Sequence, residues 1–163
     1  MNIKKFSIFL FLTLFIFIID RVSKLYILNI ADITGSVDIY ISSYLNFYLI
    51  WNKGIAFGFF SFEENLIYHL ITTLIIIITF IIIFIIIKTN DYRAYFLVFI
   101  LGGSYGNLFD RIYYSSVPDF IDFHINDFHW FIFNVADIFI TTGVFCLIFV
   151  EIFYKKNVNK QYE

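Results

Sequence analysis

Charge is what this sequence has least of. Asp, Glu, Lys and Arg make up 15% of its 163 residues, against about 25% in an ordinary soluble domain. That shortage excludes a water-soluble globule, and a net charge of −2 offers no basic surface for nucleic acid. The single cysteine, Cys146, excludes an internal disulfide and any cysteine-based zinc site. It sits in an apolar run and reads as a small buried hydrophobe. Proline occurs once, at Pro118. There are no internal repeats, no low-complexity linkers and no sign of a second domain, so the chain reads as one integral-membrane domain over 1–163.

What fills the sequence instead is apolar: 61% of residues are hydrophobic and 23% aromatic. Crossing about 30 Å of hydrocarbon takes about 20 residues of helix. Four stretches qualify, at about 6–28, 65–87, 94–113 and 130–154. The first follows Lys4 and Lys5 like a secretory signal but has no small-residue cleavage site, so it reads as a retained anchor. Lys4, Lys5, Lys88, Arg93, Lys155, Lys156 and Lys160 fall on one side of a four-span arrangement. The other side has Lys53 in a loop, with Arg21, Lys24 and Arg111 at helix ends. The positive-inside rule then places both termini in the cytoplasm. Between the first two spans, 29–64 is rich in Tyr, Phe and Ile with partial alternation. It predicts a small sheet on the outer surface, with Asn52-Lys53-Gly54 as a turn.

Ionisable groups at membrane depth cost roughly 2.5–3.5 kcal/mol each on insertion scales and therefore point to function. Asn107, Asp110 and Arg111 share one helix face in the third span, where Asp110 and Arg111 offer a structural pair. Gly102, Gly103 and Gly106 precede them and admit close approach of a backbone or ligand. Asn134, Asp137 and Thr141 share a face of the fourth span, with Asp137 expected roughly 10 Å below an outer end at Trp130. Polar residues mark these two spans as facing each other, with the first two as lipid-facing walls. Asp119 follows Pro118, which stiffens its approach, and Asp122 is its nearest competitor. Asp119 and Asp137 come from different segments ending at the outer surface. Two such carboxylates can share one proton, which equips them as acid and base. Asp20 and Lys24 read as an i, i+4 pair closing the first span. His124, Asp127 and His129 invite a metal reading. Without an HExxH pattern the segment reads rather as an amphipathic interfacial helix, and no metal or cofactor is expected. A proton-coupled transporter or a structural subunit stays open at this point, although the cytoplasmic halves of the spans have almost no polar path.

The strings IIDRVSK (Ile18–Lys24), NKGIAFG (Asn52–Gly58), GGSYGNLFDR (Gly102–Arg111), VPDFIDF (Val117–Phe123) and FNVAD (Phe133–Asp137) resemble, in order and spacing, the motif set of lipoprotein signal peptidase (signal peptidase II). The resemblance implies a bacterial inner-membrane aspartic endopeptidase that cleaves diacylglyceryl-modified prolipoproteins just before the lipidated cysteine. It implies Asp119 and Asp137 as the catalytic pair. Asn52, Gly54, Asn107, Arg111 and Asn134 would bind substrate, and Asp110 would support the site. Membrane lipids and cyclic peptide inhibitors of globomycin type are the other implied partners. The implied fold is all-α in class: four transmembrane helices, a small extracytoplasmic β-cradle and a short extracytoplasmic loop helix.

Overall fold

The computed structural model describes residues 2–54, 64–126 and 128–159. The chain runs α1 (Ile3–Thr34), β1 (Asp38–Ser42), β2 (Leu45–Asn52), α2 (Glu64–Lys88), α3 (Arg93–Tyr114), β3 (Val117–Ile125), β4 (Phe128–Phe133) and α4 (Val135–Asn159). Asn2 caps α1 by accepting from the Lys5 amide at 2.8 Å, which satisfies one of the donors a helix start leaves over. Gly35, at φ +80°, ends that helix in the left-handed region that glycine enters without steric cost.

Helix α3 is the central element and packs against all three other helices. Ala94, Leu97, Val98, Ile100 and Leu101 are buried along it with Phe9 of α1 and Ile82 and Ile86 of α2. The glycines explain how close the packing is. A Cβ on Gly102 would lie 2.8 Å from Ile16 Cβ, and one on Gly103 would lie 2.4 Å from the Ala136 carbonyl oxygen. Outward-facing Phe11, Phe15, Phe80, Phe84, Phe145 and Phe149 are exposed, as suits helices facing lipid. Among the described residues, three helices are long and apolar enough to cross a membrane: Ile3–Thr34, Tyr68–Lys88 and Val135–Phe153. Helix α3 buries much of its length against the others but leaves Phe109, Ile112 and Tyr113 exposed towards its C-terminal end.

The four strands form one antiparallel sheet in the order β1-β2-β3-β4. Its strands leave the C-terminal ends of α1 and α3 and lead to the N-terminal ends of α2 and α4, so the sheet caps one end of the bundle. At the other end Lys5 Nζ donates to the Thr89 carbonyl at 3.1 Å, and Arg93 meets Glu151 at 3.3 Å. One sheet face packs Ile39, Phe47 and Ile121 on Ile27 and Ile30 of α1.

Several expectations are corrected. The expected small sheet is present, but half of it comes from the connection between α3 and α4 rather than from 29–64 alone. His124–His129, expected as an interfacial helix, belongs to the β3–β4 hairpin, and no short loop helix occurs among the described residues. Phe128–Phe133, FHWFIF, is aromatic and β-branched enough to prefer a strand, so the fourth helix starts at Val135 rather than near 130. Helix α1 runs on to Thr34 instead of ending near 28. Asp127 and 55–63, including the end of the NKGIAFG string, lie outside the described residues.

Candidate active site

The site forms where the sheet meets the N-terminus of α4. Asn134 is fully buried and stands immediately before α4, as its cap. Its backbone N–H donates to Asp137 Oδ2 at 3.1 Å, and its side-chain Oδ1 accepts from the Asp137 amide at 3.2 Å. This reciprocal arrangement is a capping box. It puts Asp137 in the first turn of α4, where the helix dipole favours negative charge. That position is shallower than the depth expected from a helix starting at Trp130. The second half of the Asn134 amide reaches the other aspartate: Nδ2 donates to Asp119 Oδ1 at 2.6 Å. One asparagine thus ties both carboxylates together.

Asp119, third residue of β3, is 2% exposed. Its other oxygen accepts from Asn52 Nδ2 at 2.8 Å. Asn52 is fixed in turn by accepting from the Gly54 amide at 2.7 Å, while Gly54 holds φ +84°. The predicted Asn-Lys-Gly turn is therefore an Asx turn that aims Asn52. Burial pushes the Asp119 carboxyl up to about 6. Nearby Asp137 adds to the rise, and the hydrogen bonds from Asn52 and Asn134 oppose it. Asp137 Oδ1 accepts from Asn107 Nδ2 at 2.8 Å.

Behind Asn107 lies a charged cluster that sequence reasoning missed. Lys24, with no exposed surface, donates to Asn107 Oδ1 at 3.0 Å, Asp110 Oδ2 at 2.6 Å and Asp20 Oδ2 at 2.9 Å. Arg21 meets Asp110 Oδ1 at 2.5 Å and Asp20 Oδ2 at 3.1 Å. Two carboxylates and two cations balance, as buried charges require. Asp20 Oδ1 also accepts from the Ala136 amide at 2.9 Å, adding a second partner at the start of α4. Helix α1 is therefore no passive wall. The expected Asp20–Lys24 pair is present but is one edge of this cluster. Asp110 pairs with Arg21 and Lys24 rather than with Arg111. The one available signal was that DRVSK puts three charges within a single helical turn of an otherwise apolar helix.

Arg111 instead donates from Nη1 to the Asn107 carbonyl at 3.2 Å, and its own carbonyl accepts from the Tyr68 hydroxyl. Its Nη2 lies 4.0 Å from where a Cβ on Gly54 would stand, so the guanidinium faces the Asn52 turn. Asp122, the competitor to Asp119, is held by His129 on the sheet instead. Asn52, Gly54, Asn107, Arg111, Asp119, Asn134 and Asp137 all converge on one place. Asp110 stands one residue behind, through Lys24.

Apolar helices around a buried Asp119 and a half-buried Asp137, both tethered by Asn134, mark a candidate carboxylate site in a membrane protein. The comparisons with known proteins carry this further. The family model for signal peptidase (SPase) II matches residues 12–153. The lipoprotein signal peptidase of Pelagibacter ubique is 54% identical over 161 residues, covering 98% of this chain and 97% of its own. That of Anaplasma phagocytophilum is 37% identical over 144 residues, covering 86% and 89%. A bacterial membrane enzyme solved by the in meso method at 2.3 Å superposes with a TM-score of 0.66 at 28% identity, over 94% of this chain and 92% of that one. The chain belongs to the signal peptidase II family, and its function is the family's: removing signal peptides from prolipoproteins.

Proposed function

We propose that the peptidase is of the aspartic type, with Asp119 and Asp137 as the catalytic pair. The observation that carries this reading is the double hold of Asn134, which binds one carboxylate with its backbone and the other with its side chain. The pair holds one proton. The ionised member takes a proton from water as that water attacks the scissile carbonyl carbon, and the neutral member protonates the carbonyl oxygen. The tetrahedral intermediate then collapses: the C–N bond breaks, the leaving amine takes a proton from one carboxylic acid, and a hydroxyl of the intermediate returns its proton to the other carboxylate, leaving the pair again with one proton. Neither metal nor cofactor enters any step.

The substrate is read as a prolipoprotein carrying a diacylglyceryl cysteine, cut just before that residue. Its acyl chains lie in lipid, so its peptide bond comes to the headgroup boundary, the level of the first turn of α4. Asn52, Gly54, Asn107, Arg111 and Asn134 hold the peptide backbone, with Arg111 supplying a rigid fork of donors. Cyclic peptides of globomycin type would compete for the same groups. In this reading α3 is a fourth span, the sheet is an extracytoplasmic cradle, and the enzyme sits in the bacterial inner membrane with both termini cytoplasmic.

The deciding experiment is cleavage of a diacylglyceryl-modified peptide by Asp119→Asn and Asp137→Asn, each shown to insert and fold. Both should lose turnover by several orders of magnitude while Asp137→Asn still binds the peptide. Near wild-type cleavage by either variant would overturn the pair.

A further inference from the structure

The sheet face opposite α1 carries a second polar cluster, and the peptidase reading makes no use of it. Alternation along the strands turns Ile121 and Phe47 to the core and their neighbours Asp122 and Asn46, paired in register, to the other side. His124 follows Asp122 by two residues and so shares that face. A register shift in the β3–β4 ladder after Phe123 brings His129 opposite His124, which is how a bulge re-aims a side chain.

Asp122 is 2% exposed and His124 8%. His129 Nδ1 lies 2.8 and 3.0 Å from the two oxygens of Asp122, and His124 Nδ1 lies 3.7 Å from Oδ2. The two imidazoles stack with centroids 5.2 Å apart. One ligand atom from each of the three residues falls within 4.8 Å of the others. A tetrahedral ion with N and O ligands at about 2.0–2.1 Å needs those ligands about 3.3 Å apart. The two His–Asp122 separations, 2.8 and 3.7 Å, bracket that figure, and the two histidine ligand atoms lie within 4.8 Å of each other.

An Asp122–His129 pair alone would explain the short contacts but not the rest. His124 Nδ1 is buried with no hydrogen-bond partner, and so is Asn46 Oδ1. A cavity of about 380 Å³ opens here, lined by Asp38, Asn46, Tyr48, Asp122, His129 and Ile132. It has room for water, and Asn46, the register partner of Asp122, lines it.

We propose that Asp122, His124 and His129 form a binding site for a divalent transition-metal ion of the zinc type. Water takes the fourth position and donates toward Asn46. Two imidazoles and a carboxylate are a ligand set suited to zinc and its neighbours rather than to magnesium or calcium. The site joins β3 to β4 and is separate from the peptidase residues, so it stands or falls independently of the catalytic assignment.

The test uses the full-length protein in detergent micelles, free of any polyhistidine tag and stripped with a chelator. Zinc is titrated in competition with a chromogenic chelator, and Co²⁺ is added separately as a spectroscopic probe. One equivalent of zinc should bind, and Co²⁺ should give the intense visible bands of a four-coordinate site. His124→Gln and His129→Gln should each weaken zinc at least tenfold, and the double variant at least a hundredfold. His69→Gln should change nothing. Cleavage of the lipidated peptide by the same preparations reports folding, and should be unaffected because none of these side chains touches the peptidase site. Equal zinc affinity in wild type and double variant would overturn the proposal. So would a wild-type Co²⁺ spectrum without four-coordinate bands, which needs no variant to interpret.

Discussion

Asp119 is a carboxylic acid placed where its charge is poorly solvated, and the consequences can be read against pH. Its folded value of about 6 lies above the ordinary 3.8. The folded state therefore binds the proton more tightly than the unfolded chain does. The stability this group contributes is complete below about pH 3.8 and is lost as pH rises through 6, a loss on the order of 3 kcal/mol. In the proposed aspartic mechanism, catalysis depends on the same proton: once it leaves, two carboxylates remain and no acid. We expect kcat/KM for the lipidated peptide to fall above about pH 6, approaching tenfold per unit; a profile flat to pH 8 would count against a shared proton. Asn52 stabilises the ionised form through its 2.8 Å hydrogen bond, so Asn52→Ala should move the falling limb to higher pH. It should also cut kcat/KM by about 10–100-fold, roughly 1.4–2.7 kcal/mol. A merely structural Asn52 would lower activity without moving the limb. At this scale the sequence was most informative about residue type. An aspartate after the only proline and another in an Asn-x-x-Asp string stood out in a chain this poor in charge. What it left hidden was pairing. Asp110 looked matched to its neighbour Arg111, yet adjacent helix positions point about 100° apart, and the partners came from α1.

Among the elements, α3 is the most constrained, because its glycines set the distance to its neighbours. A methyl at Gly103 would sit 2.4 Å from a backbone oxygen of α4, which has no rotamer with which to retreat. Gly103→Ala should therefore cost about 1–3 kcal/mol, seen as a lower unfolding temperature in detergent. It should also depress turnover, since the displaced carbonyl belongs to Ala136, next to Asp137. Unchanged stability would mean that the α3–α4 seam is looser than described. In α1 the decisive residue is Lys24. Lys24→Met removes one of two cations from a cluster holding two fully buried carboxylates and should destabilise by about 3–5 kcal/mol. Because Lys24 also holds Asn107, the residual folded enzyme should turn over more slowly even where it remains intact. Wild-type turnover in folded Lys24→Met protein would reduce the cluster to packing. The helices themselves were legible as apolar runs, and the error lay in the link to α4. A short aromatic stretch beside a span reads equally well as more span, and only the cap at Asn134 marks where strand gives way to helix.

For the molecule as a whole, the strands fall at one end of the bundle, and the N-terminal end of α1 and the C-terminal end of α4 fall at the other. Cysteine labelling in a Cys146→Ser background, with a membrane-impermeant reagent on intact cells, should modify position 53 and spare position 160. The reverse pattern would invert the topology. The general architecture, helices with a small sheet to one side, could be read from hydropathy and alternation. The joining of both interhelical segments into one sheet could not, since strand pairing across 65 or more residues leaves no local trace. The neutral cluster at Asp20, Arg21, Lys24 and Asp110 also bears on how the protein is made. Synthesis delivers α1 to the bilayer with Asp20, Arg21 and Lys24 already in place, and Asp110 follows more than eighty residues later. Until then Arg21 and Lys24 outnumber Asp20 by one charge, and only Asp110 on α3 restores neutrality. Settling of the first helix is thereby coupled to arrival of the third. A nascent chain stalled before Asp110 would present an unneutralised membrane segment, the kind of target that quality-control proteases remove.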